Sequence, residues 1–302
     1  MNNCFGKCPS GEMYVILPYF NFCGFNKRKQ LFLEFIERMK KYPVRIVIVS
    51  TGGLSEWCLP VFKHIEVGYK DQVWVKENLI NIAIRRLPSN WKYVAWIDAD
   101  ITFLNENWVK DTIEQLKSCD VVQMFQTAVN LGPDEEAMKI DKSFGYMYAK
   151  SGNEYSRTNK YGFWHPGYAW ACTKKAYQKM GGLLDWAILG SGDRHMALAL
   201  IGKVEWSAPG NIEFNYLQLL QKYQKSCKGL KLSYTPGTIL HHWHGSLENR
   251  KYKERWNILT SNEYDPVKDI DYTKQGLIYL NFRGERLKDD IFKYFQERKE
   301  DE

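Results

Sequence analysis

The sequence predicts an α/β chain on a central, mostly parallel sheet flanked by helices, with a C-terminal helical tail. Three observations lead there. The largely apolar runs Tyr14–Leu17, Arg45–Val49 and Val94–Ile97 read as strands buried on both faces. Between the first two, Leu31, Phe32, Phe35, Ile36 and Met39 recur on one helical face, which makes a strand–helix–strand unit with a right-handed crossover. The third run ends in two carboxylates, Asp98 and Asp100, at the strand end where sheets of this class hold ligands.

With 302 residues, 44% hydrophobic and 25% charged, the chain can bury one large domain with an appended tail. No apolar run is long enough to span a bilayer, and Met1-Asn2-Asn3-Cys4 lacks the layout of a signal peptide. The seven cysteines are odd in number and scattered, and Cys4 and Cys8 have no second pair to complete a zinc site. Reduced thiols and a cytoplasmic setting are therefore expected. The net charge of +7 admits an anionic partner such as a nucleotide, nucleic acid or membrane surface. Eleven tryptophans and 15% aromatics suit stacking on sugar faces or bases.

In order, Tyr14–Phe20 reads as the first strand, stopping at Pro18. Asn26 is placed to cap a helix running to about Lys41, and Ser50-Thr51-Gly52-Gly53 punctuates the second strand. Val75, Leu79, Ile82 and Ala83 suit a helix packed on the sheet, with Asn78 and Asn81 together on one side. Asn105–Lys117 reads as an Asn-capped helix and Asp120–Phe125 as a strand. From Gln126 to Tyr161 the pattern dissolves into Gly, Pro, Ser, Asn and charge, which reads as a long loop or lid. Phe163–Cys172 returns to an extended, aromatic stretch in which Gly167 allows close backbone approach. Thr173 caps a short helix stopped by Gly181-Gly182, and Gly190-Ser191-Gly192-Asp193 opens the next. Thr238–Gly245 carries three of the six histidines, and Gly245–Arg255 reads as a helix.

On an extended chain Asp98 and Asp100 point to one side, and two like charges there require a cation between them. A hard divalent ion is the usual answer, with a nucleotide diphosphate as its companion. By the same alternation His242 and His244 share one face and His241 takes the other. Imidazole ligates Mn²⁺ and zinc, but no cysteine pair or Glu stands at zinc spacing.

Asp98-Ala99-Asp100 resembles the Asp-x-Asp motif of metal-dependent glycosyltransferases with the GT-A (Rossmann-like) fold. The stretch up to Gly190-Ser191-Gly192-Asp193 is similar to their Trp-Gly-x-Glu-Asp motif, with Asp193 at the acid and Gly192 in place of the Glu. The run from His241-His242-Trp243-His244-Gly245 through Asn249, Arg250 and Tyr252 to Tyr264-Asp265-Pro266 resembles a branch found in phages, large viruses and bacteria. Some of that branch is linked to sugar transfer onto hydroxymethylated DNA bases. The resemblance covers roughly residues 13 to 300.

It implies a catalytic domain over residues 1–245 and a helical extension over 246–302. The reaction would move a hexose from a nucleotide sugar, UDP-linked, to a hydroxyl on a glycan, a glycoprotein or a hydroxymethylated DNA base. Mn²⁺ or Mg²⁺ would be held by Asp100 and His244, with Asp98 reaching the ion through water or the donor's ribose. Pro18, Tyr19 and Phe20 would line the base and ribose, Lys76, Asn78 and Asn81 would lie against the nucleotide, and Arg250 would clamp the diphosphate. Asp193 would be the base of an inverting reaction, or would position the sugar in a retaining one. The rival reading is a non-catalytic nucleic-acid- or sugar-binding module on the same fold.

Overall fold

The structure, a computed structural model, describes residues 12–52, 61–151, 155 and 163–302. Cys4, Cys8, Cys58, Gly53 and part of the expected loop before Tyr161 lie outside the described residues. Among the described residues, Cys23, Cys119, Cys172 and Cys227 are free thiols.

The main sheet contains β1 (Met13–Phe20), β2 (Val44–Thr51), β3 (Lys63–Val67), β4 (Tyr93–Ile97), β6 (Val121–Gln123), β10 (Ala169–Thr173) and β11 (Leu232–Tyr234). Their spatial order is β11-β6-β10-β4-β1-β2-β3, and β10 alone runs antiparallel to its neighbours. The expected mostly parallel α/β sheet is therefore present. A second sheet, in the order β5-β12-β7-β8-β9, joins β5 (Ile101–Phe103), β7 (Thr127–Leu131), β8 (Ala137–Ser143), β9 (Trp164–His165) and β12 (Thr238–His241).

Period-two alternation in the central strands separates two cores. From β1, Tyr14 and Ile16 enter one and Met13, Val15, Leu17 and Tyr19 the other; from β4, Val94 and Trp96 part from Ala95 and Ile97 in the same way. Helices α1 (Asn26–Met39) and α3 (Trp108–Leu116) cover the second face. The first is covered by α2 (Lys76–Arg85), α5 (Lys174–Met180), α6 (Gly192–Leu200) and α7 (Phe214–Cys227), with α4 (Phe144–Ser151) near β11.

Several local expectations are met. Thr173 Oγ1 accepts the Ala176 N–H at 3.1 Å, and Gly181 closes α5 in the left-handed conformation with φ 79°. No helix among the described residues is long and apolar enough to cross a membrane.

Others are corrected. Strand β1 runs through Pro18 to Phe20, because β4 pairs only with Met13–Ile16 and the later residues have a neighbour on one side alone. A proline is tolerated where a strand has become an edge. Asn26 does not cap α1; instead the Asp301 carboxylate accepts the Asn26 and Lys27 N–H groups at 3.1 and 2.7 Å. The expected loop after Gln126 contains the β7–β8 hairpin and α4, hidden because β8 carries Lys139, Asp141 and Lys142 and its first four residues are exposed, so it shows no buried apolar run. Residues 246–302 are not wholly helical. They hold a short 3-10 turn at Glu248–Arg250, α8 (Arg255–Ser261), the hairpin of β13 (Ile270–Tyr272) with β14 (Ile278–Leu280), and α9 (Lys288–Glu297). Lys251, at φ 45°, interrupts the helix expected over Gly245–Arg255. Leu259, Tyr264, Ile278, Ile291 and Phe295 of this segment enter the same core as α2 and α6.

Candidate active site

Strand β4 ends at Ile97, and Asp98-Ala99-Asp100 is a turn into β5 rather than extended chain. The alternation that would put both carboxylates on one side stops with the strand, so the two acids face different partners. Backbone bonds pin the turn: the Asp98 N–H donates to the Tyr168 carbonyl and the His242 N–H to the Asp100 carbonyl, both at 2.8 Å.

Asp100 meets the histidines. Its Oδ2 lies 2.8 Å from His244 Nε2 and 3.7 Å from His241 Nε2, and the two Nε2 atoms are 3.3 Å apart. One ligand atom from each of these residues falls within 4.8 Å of the others. His241, not His242, is thus the companion of His244. Strand β12 ends at His241 and the chain turns through Gly245 at φ 89°, so two-residue alternation no longer applies; His242 faces away, 2.8 Å from Thr102 Oγ1. Gly245 has no room for a side chain, since a Cβ would stand 2.9 Å from the Lys299 carbonyl.

A divalent cation fits this donor set. One carboxylate and two imidazoles suit a transition ion such as Mn²⁺, and the second oxygen of Asp100 is buried with no hydrogen-bond partner among the described residues. Burial pushes the Asp100 carboxyl up, but His244 and His241 outweigh it and hold the pKa well below the usual carboxylate range. The His241 imidazole is lowered, chiefly by burial and against the pull of Asp100, which favours its neutral, ligating form.

Asp98 does not join that cluster. Its Oδ1 lies 2.6 Å from Lys76 Nζ, and the same ammonium holds Asp193 Oδ2 at 2.9 Å. Lys76, buried at the start of α2, thereby ties the β4 end to the first turn of α6. Burial raises the Asp98 pKa to about 6; Lys76 opposes the shift, and Asp100 and Asp193 add to it.

Glu77 is a third acid here that sequence reasoning missed. A Cβ on Gly192 would collide with the Glu77 carboxylate, so a carboxylate from α2 fills the space beside Asp193 that the glycine leaves open. Trp74 Nε1 donates to Glu77 Oε2 at 3.0 Å. Burial, with Asp193 reinforcing and Lys76 opposing, raises the Glu77 pKa to about 8. A carboxyl with a folded pKa near 8 and an unfolded one near 4.5 stabilises fully below pH 4.5 and loses that contribution as pH rises through 8. Glu77→Gln keeps an acceptor for Trp74 and cannot ionise. It is expected to match the native Tm near pH 4 and to exceed it by a few degrees above pH 8. Thermal unfolding across that range checks this, and a gap independent of pH would contradict it.

The other expected residues divide. Arg250 is brought to the centre: its Nη2 lies 2.8 Å from His244 Nδ1, and its Nε is buried without a partner among the described residues. Asn78 and Asn81 are not brought there. Asn78 donates to Asp185 Oδ2 and the Gly276 carbonyl, and Asn81 to the Leu183 carbonyl and Asp185 Oδ2. Both amides are spent on bracing α2 against Leu183–Asp185 and Gly276. Tyr19 is buried against Phe32, and Phe20 packs edge-on to Trp74 under the Arg28 guanidinium; Pro18 is half-buried.

Residues 298–302 also close on the site, which no local pattern announces. Glu300, fully buried, is held by Arg28 Nε and Arg298 Nε, each at 2.7 Å, and its Oε2 lies 3.7 Å from His244 Nδ1. Its pKa sits well below the usual range because the two guanidinium groups outweigh burial. Its partner Arg28 stands 272 positions away in sequence.

No protein-family model matches the chain, and no curated protein matches it in sequence. Among solved structures it is similar to a mutant β-1,4-galactosyltransferase 7 from Drosophila in complex with manganese, UDP-Gal and xylobiose. That likeness has a TM-score of 0.43 and 12% identity, and covers 89% of this chain and 94% of the other. It is also similar to a mannosyltransferase from Pyrobaculum calidifontis in complex with GDP-Man and Mn²⁺, with a TM-score of 0.47, 15% identity, and 83% and 61% of the two chains covered. These likenesses are distant.

Proposed function

We propose that the chain is a metal-dependent glycosyltransferase of the GT-A type, moving a hexose from a nucleotide sugar, UDP-linked, to a hydroxyl acceptor. The observation that carries this reading is the convergence of Asp100, His241 and His244 at the C-terminal end of central strand β4, beside the Lys76-bridged acids. Asp100, His241 and His244 would hold Mn²⁺ or Mg²⁺, with Asp98 reaching the ion or the ribose through water. The bound ion supplies Lewis-acid neutralisation of the leaving diphosphate. Arg250 contributes a buried N–H donor with no partner among the described residues, on the same side, and is suited to a phosphate oxygen. Pro18, Tyr19 and Phe20 end the strand beside which the base and ribose would lie. Asp193, held in place by Lys76, accepts the acceptor hydroxyl's proton if the reaction inverts, and orients the sugar if it retains.

The test is donor binding and hydrolysis across UDP-, GDP- and dTDP-sugars, with Mn²⁺ and then with chelator. Chelator-sensitive turnover of one donor is expected. No metal-dependent binding of any nucleotide would instead favour a non-catalytic sugar- or nucleic-acid-binding module. For the acceptor, a glycan hydroxyl and a hydroxymethylated DNA base are told apart by salt. DNA binding weakens steeply as counterions are released, and a small glycan's binding does not.

A further inference from the structure

Asn130, buried on β7, stands directly across the β7–β12 ladder from His241. Its Nδ2 donates to Asp141 Oδ2 at 3.0 Å and to the Lys139 carbonyl at 3.4 Å. A backbone carbonyl only accepts, and the Asp141 carboxylate is paired with Lys139 Nζ at 2.9 Å, so the amide cannot be turned over without facing acceptor against acceptor. Its Oδ1 therefore points at His241 Nδ1, 3.0 Å away, and also accepts from the Tyr168 hydroxyl at 2.7 Å. An amide oxygen donates nothing, so Nδ1 must carry the imidazole proton. Nε2 then presents its lone pair towards Asp100 and His244.

Tyr168 adds a second restraint. Its ring packs on the His241 imidazole with centroids 4.7 Å apart, and on its other contact stacks with His165 at 4.2 Å. It is held at φ 78°, an unfavourable conformation for a bulky residue, and strain of this kind gathers at functional sites. Through its carbonyl on Asp98 N–H and its hydroxyl on Asn130, one residue joins the acidic turn to the histidine's support.

We propose that Asn130 is a positioning residue of the metal centre: it fixes His241 as the Nδ1–H tautomer, leaving Nε2 to ligate, and Tyr168 keeps Asn130 in that orientation. The proposal rests on the reading of Asp100, His241 and His244 as the ligands of a divalent ion. A ligating imidazole needs its far nitrogen anchored, and removing such an anchor typically costs 10–100-fold in metal affinity.

The test uses the full chain labelled with ¹⁵N-histidine. Long-range ¹H–¹⁵N spectra report each tautomer, and the free-Mn²⁺ electron paramagnetic resonance signal reports affinity. Native His241 is expected as Nδ1–H. Asn130→Leu, without an acceptor, is expected to lose that tautomer and bind Mn²⁺ about 10–100-fold more weakly. The double variant Asn130→Asp with Asp141→Asn sets an amide against the new carboxylate, keeps an acceptor at His241 Nδ1, and is expected to retain both the tautomer and an affinity within a few-fold of native. An Nε2–H tautomer in the native protein, native affinity in folded Asn130→Leu, or equal weakening in both variants would overturn the proposal. If Asn130→Leu does not fold, the native tautomer and the double variant decide it. A native protein that binds no Mn²⁺ overturns the metal-centre reading itself, whereas Mn²⁺ binding that is indifferent to Asn130 removes only this residue's role.

Discussion

Asp100→Ala is expected to abolish Mn²⁺ binding and sugar transfer together. Asp100 is the only carboxylate in the three-residue cluster found among the described residues, and its second oxygen has no competing partner. Without it two imidazoles alone would face each other, a weak site for a hard ion, beside a buried Arg250 that repels cations. The fold should survive, because the turn is pinned by the backbone groups of Asp98 and Asp100 rather than by this carboxylate. Calorimetric Mn²⁺ titration, with circular dichroism as the control for folding, checks both halves. Retained Mn²⁺ affinity in a folded variant would remove Asp100 from the centre.

Asp193→Asn is expected to leave donor affinity unchanged and to lower turnover by about 10²–10⁴-fold, the usual contribution of a positioned acid or base. The substitution keeps an oxygen near Lys76 Nζ, which still has Asp98 at 2.6 Å, so the ammonium does not lose its charge partner. What disappears is the ability to take a proton. Turnover with saturating donor and acceptor, alongside donor binding by calorimetry, separates the two effects. Loss of donor affinity would show that Asp193 acts on the donor instead, and the division of roles between α6 and the β4 turn would fall.

The central strands were legible because burial on both faces leaves an apolar run that local sequence displays directly, as in Tyr14–Leu17 and Val94–Ile97. Asp100 could be singled out because it follows such a strand, whereas His244 and Arg250 were singled out by the resemblance of the run from His241 to Tyr252 to a known motif. The error over His241 and the placing of Asp98 share one cause. Alternation holds only while the backbone is extended; β4 ends just before Asp98, and β12 ends at His241, before His244. Asn78 and Asn81 looked like a ligand-facing pair on their helix, but spacing does not reveal that Asp185 and Gly276 take up their amides. Glu77, Asn130 and Glu300 were missed because each acts through residues distant in sequence. For Glu77 a signal existed: a missing acid at Gly192, within a motif otherwise similar to one that has it, invites a search for a carboxylate from another element. Glu300 carries no such signal, since its role depends on Arg28, Arg298 and the return of the chain to α1.

The most direct test of the account is a crystal soaked in Mn²⁺ and measured for anomalous scattering at the manganese edge. A single strong peak bounded by Asp100, His241 and His244 is expected, and it should vanish in Asp100→Ala. A peak between Asp98 and Asp193 instead, or none at a Mn²⁺ concentration that supports donor turnover, would contradict the assignment of the metal centre.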